Sequence, residues 1–63
     1  MNLLHFLRVK ARLTQAEVAE RLNVNQSAVS NWERGINPPL PKYRPQLAKL
    51  YGVTEAELMK GAE

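Results

Sequence analysis

The chain has 63 residues, no cysteine, a net charge of +3 and a pI of about 9.7. That length suits one small domain, residues 1–63, which buries only about 60% of its unfolded surface and must be held by packing alone. A disulfide framework, a Cys-based zinc site and a thiol nucleophile are excluded, as is a membrane-spanning run of roughly 18 apolar residues.

The N-terminal stretch "MNLLHFLRVK" places Leu3, Leu4, Leu7 and Ala11 on one face at helical spacing, which predicts a first helix over about 2–12. Its apolar run is short and is followed by Arg8 and Lys10, unlike a cleavable signal. A cytoplasmic protein is expected. Thr14-Gln15-Ala16-Glu17 is a capping box, in which the Thr hydroxyl and the Glu carboxylate satisfy each other's orphan N–H groups. It opens a second helix over about 15–22, with Val18, Ala19 and Leu22 inward. Asn23 ends that helix, because Asn tolerates the left-handed backbone that a helix C-terminus requires. Val24 points inward and Asn25 is expected to cap a third helix over about 26–34, which stops at Gly35. Two short helices joined by about three residues outline a helix-turn-helix.

Pro38, Pro39 and Pro41 enforce a loop. A fourth helix is predicted over about 43–51, with Pro45 in its first turn and Tyr43, Leu47, Leu50 and Tyr51 inward. Gly52 ends it. Thr54-Glu55-Ala56-Glu57 is a second capping box, opening a fifth helix over about 55–60 that buries Leu58 and Met59. The fold class expected is all-α, a compact bundle of five short helices.

Charge is unevenly spread. Residues 1–54 carry eight Lys/Arg against three Glu, whereas residues 55–63 carry Lys60 against three Glu. A basic body fits a polyanionic partner. The third helix sharpens this. At about 100° per residue, Val29 and Trp32 fall together as core, while Ser27, Asn31 and Arg34 lie opposite, with Gln26 and Ser30 at the near edge. A merely solvated face would more often use Lys or Glu, which form helices better than Ser and Asn. Gln and Asn can make paired bonds to adenine, Ser can bond either base type, and Arg can grip guanine or a phosphate. Small residues (Ser27, Ala28, Ser30) allow close approach, and Ala28 can touch a thymine methyl.

The run "LTQAEVAERLNVNQSAVSNWERG", followed by Pro and then "LAKLYGVTEAELM", resembles the Cro/lambda-repressor-like helix-turn-helix family, also called the xenobiotic-response-element type. The resemblance covers roughly residues 4–59. It implies a five-helix bundle whose third helix enters the major groove of double-stranded DNA, usually as a homodimer on a two-fold operator. Gln26, Ser27 and Asn31 match the family's base-reading positions, and Ala28 a position that also touches bases. Gln15 matches a phosphate-binding position, where the helix N-terminus favours an anion. Arg34 and Asn37 match backbone-contacting positions, and Asn25, Ser30, Lys42 and Arg44 complete the expected phosphate contacts. Glu33 matches a recurrent family acid read as structural, because a carboxylate facing DNA would be repelled. Two departures stand out. Asn23 replaces the usual turn Gly, and Pro45 falls where the family often has an apolar helical residue, so the fourth helix should start late.

Other chemistry is absent from the pattern. His5, the only histidine, has no neighbouring imidazole or thiol, so no metal site is expected. No nucleophile has a positioned base, and no Gly-rich phosphate loop occurs. The expectation is a non-enzyme without cofactor or small-molecule substrate: a transcriptional regulator, of repressor type and Cro-like, from a phage or prophage. The alternatives are an antitoxin or controller protein, or a protein-interaction adaptor on the same fold. Phe6 and Val9 lie off the inward face of the first helix. They either pack on the fifth helix or form a partner surface. Met59 and the chain end are a second dimer candidate.

Overall fold

Four helices stop by one device. Arg12, Asn23, Gly35 and Gly52 adopt left-handed backbone, with φ of 61°, 57°, 76° and 68°. The next residue in each case turns its N–H back to a carbonyl five positions earlier: Leu13 to Arg8 at 3.2 Å, and Val24 to Ala19, Ile36 to Asn31 and Val53 to Ala48 at 3.0 Å. This is the Schellman closure, and it favours an apolar residue after the left-handed one. Leu13, Val24 and Val53 accordingly pack against the core, while Ile36 stays 58% exposed. Each closure thus gives a terminal carbonyl of its helix a partner as the chain turns.

The computed structural model describes residues 3–62, with side chains through Lys60. The helices are α1 (Leu3–Lys10), α2 (Gln15–Leu22), α3 (Gln26–Glu33), α4 (Arg44–Tyr51) and α5 (Glu55–Ala62), with a 3₁₀ turn at Pro41–Tyr43 leading into α4. No strand occurs among the described residues. The five predicted helices are all present. α2 matches its expected bounds, and α3 ends one residue early, at Glu33. α1 stops at Lys10 rather than 12 because Arg12 turns left-handed; the predicted start at residue 2 lies outside the described residues. The Pro-rich loop delays α4 to Arg44, with Pro45 in the first turn, and α5 runs on to Ala62.

Both capping boxes form. Thr14 Oγ1 accepts from the Glu17 N–H at 3.0 Å, and Glu17 accepts from the Thr14 N–H at 2.9 Å. Thr54 and Glu57 repeat the pattern at 3.1 Å each way. Asn25 departs from expectation. It occupies the residue before α3 with extended backbone, yet its side chain makes no capping bond.

The core joins all five helices: Leu4 and Leu7, Val18, Ala19 and Leu22, Val29 and Trp32, Leu47 and Ala48, and Leu58. Full burial of such aliphatic side chains contributes about 1.5–3 kcal/mol each. α2 packs chiefly on α3, and α1 lies against α5, α3 and α4. Trp32 and Tyr43 meet with ring centroids 5.7 Å apart, tilted by 41°. With Pro39 fully buried, that contact anchors the loop beside α3. Some inward assignments do not hold. Leu3 is 39% exposed, because the stripe of α1 that meets the core is narrowed to Leu4 and Leu7. Ala11, Leu50 and Met59 are only half-buried. Phe6 and Val9 are 57% and 53% exposed and so are not covered by α5.

Candidate nucleic-acid interface

α3 is built with two unlike sides. Its inner side holds Val29 and Trp32, and Glu33 joins them at 4% exposure. Its outer side carries Gln26, Ser27 and Arg34, all exposed, with Ala28, Ser30 and Asn31 half-exposed between. This is the arrangement expected from the 3.6-residue repeat.

A depression lies on each flank of the outer side. Ser27, Ala28 and Asn31 line the first, together with Asn25 before the helix and Asn37 and Tyr43 from the following loop. Ser30 and Arg34 line the second, together with Gln15 of α2, His5 of α1 and the edge of Glu33. The outer side of α3 thus stands as a polar ridge between two hollows. Of the eleven residues singled out from sequence, Asn25, Ser27, Ala28, Asn31 and Asn37 gather on one flank. Gln15, Ser30 and Arg34 gather on the other, with Gln26 beside Gln15. Lys42 and Arg44 line neither hollow. The Lys42 amine sits 5.1 Å from the centre of the Tyr43 ring, and Arg44 is half-buried with its Nε lacking a hydrogen-bond partner.

Beneath the ridge sits a polar cluster that the sequence reading only half anticipated. Glu33 was read as structural. From sequence, Arg8 is one of the eight basic residues in 1–54. In the fold, Arg8 Nε donates to Glu33 Oε2 at 2.6 Å and Nη2 donates to Oε1 at 3.1 Å, a bidentate pair. Arg8 Nη1 also donates to the Leu13 carbonyl at 2.8 Å, tying the end of α1 to the cluster. His5 Nδ1 lies 3.0 Å from Glu33 Oε1, and Gln15 Nε2 donates to the same oxygen at 3.2 Å. The helical spacing carried a signal. Arg8 follows Leu4 by one turn, so it shares the buried edge of α1, and His5 lies one turn from Arg8. The partner 25 residues away had no local trace.

The electrostatics follow from this geometry. Burial pushes the Glu33 carboxyl upward, but the hydrogen bonds from Arg8, Gln15 and His5, with the Arg8 charge, outweigh it and hold the group below the usual range. The hydrogen bond to Glu33 raises the Arg8 guanidinium, against its own partial burial. Tyr51, desolvated and facing the Glu33 charge, is pushed up to about 12 and stays neutral. An ionised but neutralised pair therefore lies under α3, and the outward face keeps no net negative charge from Glu33.

Five helices, a tight turn at 23–25 and a polar ridge on the helix after it define a helix-turn-helix domain. The chain belongs to the helix-turn-helix family of Cro/C1 type, whose pattern matches residues 4–58. Two relatives are similar over 57 residues at 39% identity, covering 90% of this chain. One is the HTH-type transcriptional activator BcrR of Enterococcus faecalis, of which 28% is covered. The other is the cryptic phage CTXphi transcriptional repressor RstR of Vibrio cholerae, of which 51% is covered. The chain thus spans about half the length, or less, of these relatives. No solved structure matches it. No helix among the described residues is long and apolar enough to cross a membrane, and none of their His or acidic side chains group as a metal site.

Proposed function

We propose that this chain binds double-stranded DNA sequence-specifically and regulates transcription, acting as a repressor that blocks polymerase by occupying its operator. The carrying observation is the polar ridge of α3. It combines amides and hydroxyls, held on a Trp-anchored helix, with hollows on both flanks that the walls of a major groove can enter. Family membership and the two regulator relatives support the same reading.

In this reading Gln26, Ser27, Ala28 and Asn31 meet base edges. Gln15, Asn25, Ser30, Arg34 and Asn37 hold the phosphates alongside, and Lys42 and Arg44 add positive charge from the loop. Two copies would sit on a palindromic site with their α3 helices about 34 Å apart, one turn of DNA. The relatives carry both names, one an activator and one a repressor; the repressor reading is supported by the phage repressor among them.

Selection of bound duplexes from a random pool, followed by gel shift across salt concentrations, tests this. A specific reader returns one motif, with half-sites if it pairs, and loses affinity steeply as salt rises while keeping its preference. Sequence-blind binding, or none, would favour an adaptor and refute the proposal.

A further inference from the structure

We propose that His5 is a further DNA contact that grips a backbone phosphate only when its ring carries two protons, so that operator binding takes up a proton and weakens between about pH 6 and 8. The inference rests on the DNA reading above.

The ring is oriented from beneath. His5 lines the second hollow together with Gln15, Ser30 and Arg34, and its side chain is 31% exposed. Its Nδ1 lies 3.0 Å from Glu33 Oε1. Glu33 is ionised and a carboxylate only accepts hydrogen bonds, so Nδ1 must carry the proton of the neutral ring. Arg8 Nη2 stands 3.2 Å from the same Nδ1, but a guanidinium only donates, and this nitrogen already donates to Glu33 Oε1. In the other tautomer the Nδ1 lone pair would face a charged oxygen. Nε2 is therefore left as the acceptor. It has no hydrogen-bond partner among the described residues and is not a buried orphan, so it opens to solvent on the hollow side.

A phosphate oxygen only accepts. Against it, the bare Nε2 of a neutral ring offers a lone pair and nothing else. A second proton turns Nε2 into a charged donor beside the Ser30 hydroxyl and the Arg34 guanidinium. The surrounding groups hold their charge while this happens. Glu33, whose edge also lines the hollow, is held below the usual carboxylate range and is paired with Arg8. Arg8 is raised further by that pair, and Tyr51 of α4, which faces both, is pushed up to about 12. An arginine such as Arg34 stays charged throughout this range. His5 is the only imidazole in the chain. Because phosphate selects the charged ring, the complex holds the added proton more tightly than the free protein. The gain in affinity is complete where the free ring is already charged, and is lost as pH rises through the titration of the complex.

Two variants test this on the operator selected from a random pool. His5→Asn keeps an N–H near the position of Nδ1 for Glu33 and removes the outer nitrogen. His5→Lys supplies a charge that does not titrate in this range. Binding is measured at about pH 6 and 8, at several salt concentrations and well below each variant's melting temperature. Wild-type affinity should fall by roughly tenfold from the lower pH to the higher. His5→Asn should bind like the wild type at the higher pH and change by less than about twofold. His5→Lys should bind tightly at both. The α-amino group also titrates near this range, but it is common to all three proteins. The salt dependence of the wild type should be steeper at the lower pH by about one phosphate contact, and that of His5→Asn should not change. A pH effect that persists in His5→Asn, or a wild-type salt slope that is the same at both pH values, overturns the inference.

A second readout uses the free protein. Nitrogen NMR of the imidazole should show the neutral ring protonated at Nδ1, with Nε2 bare. A ring protonated at Nε2 could donate to phosphate without a second proton, and would break the inference at its first link. A wild-type chain with no preference for any sequence would sink the DNA reading itself and the phosphate contact with it, while the imidazole spectrum still decides how Glu33 orients the ring.

Discussion

α2 and α3 are the same length, eight residues each, and pack on one another, yet they are finished differently. α2 is closed at both ends by its own side chains and backbone. Thr14 and Glu17 satisfy its first N–H groups, and Asn23 and Val24 turn back onto its last carbonyls. α3 is closed only at its C-terminus. Asn25 stands at its start without capping, and its outer face keeps amides and hydroxyls where α2 carries charged Glu17, Glu20 and Arg21. Local self-satisfaction makes α2 a support. Polar groups left uncommitted, apart from a long Gln26–Gln15 contact, make α3 a surface that can bind. Under α3, however, Glu33 is more fully committed than any polar group of α2, and stability and readiness to bind are segregated to opposite sides of one helix.

The largest effect should come from breaking α3 on its inner side. Glu33→Ala leaves the Arg8 guanidinium uncompensated next to the core, a loss of about 3–5 kcal/mol. That approaches the whole stability of so small a domain, so chemical denaturation should show a chain largely unfolded at 37 °C. The apolar pair Arg8→Met/Glu33→Leu should remain folded, which separates loss of a partner from loss of the charges. The pair also predicts pH behaviour. Glu33 is held below its unfolded value of about 4.3, so its contribution is fully present above that pH and fades as pH falls through the lower folded value. The acid limb of a thermal-melt series should be blunted in the apolar pair.

Substitution on the outer side of α3 should leave the fold intact. Asn31→Ala is expected to change stability by no more than about 0.5 kcal/mol. It should relax preference at one or two base pairs of a selected operator by about 1–3 kcal/mol. Gln15→Ala should weaken binding to every sequence. Uniform weakening by Asn31→Ala would move that residue from base edges to phosphates.

The contrast between the two helices also explains what could be read from residues alone. Capping boxes, left-handed closures and apolar spacing are local, and they located five helices to within a few residues. The outer face of α3 was equally legible, because helical rotation alone separates Ser27 and Asn31 from Val29 and Trp32. Pairings between distant elements were not. Arg8 meets Glu33 across 25 positions and His5 meets it across 28, and no periodicity encodes that. Asn25 misled for the opposite reason. Its residue type and place both suit a cap, but type does not settle the rotamer.

Two caps give the smallest and most direct test of the difference between α2 and α3. Thr14→Ala removes the hydroxyl that accepts from the Glu17 N–H, and keeps only the main-chain N–H of residue 14 that donates to the Glu17 carboxylate. Loss of such a cap costs about 1 kcal/mol. Asn25→Ala removes a side chain that caps nothing and stands exposed, so its cost should stay below about 0.5 kcal/mol. Melting of the two variants side by side measures this. In DNA binding the order should invert. Asn25 lines the hollow beside Ser27 and Asn31, whereas Thr14 lines neither hollow, so Asn25→Ala should weaken binding more than Thr14→Ala once both are measured well below their melting temperatures. Equal stability losses would mean that Asn25 caps α3 in solution after all, and the two helices would then be finished alike at their starts.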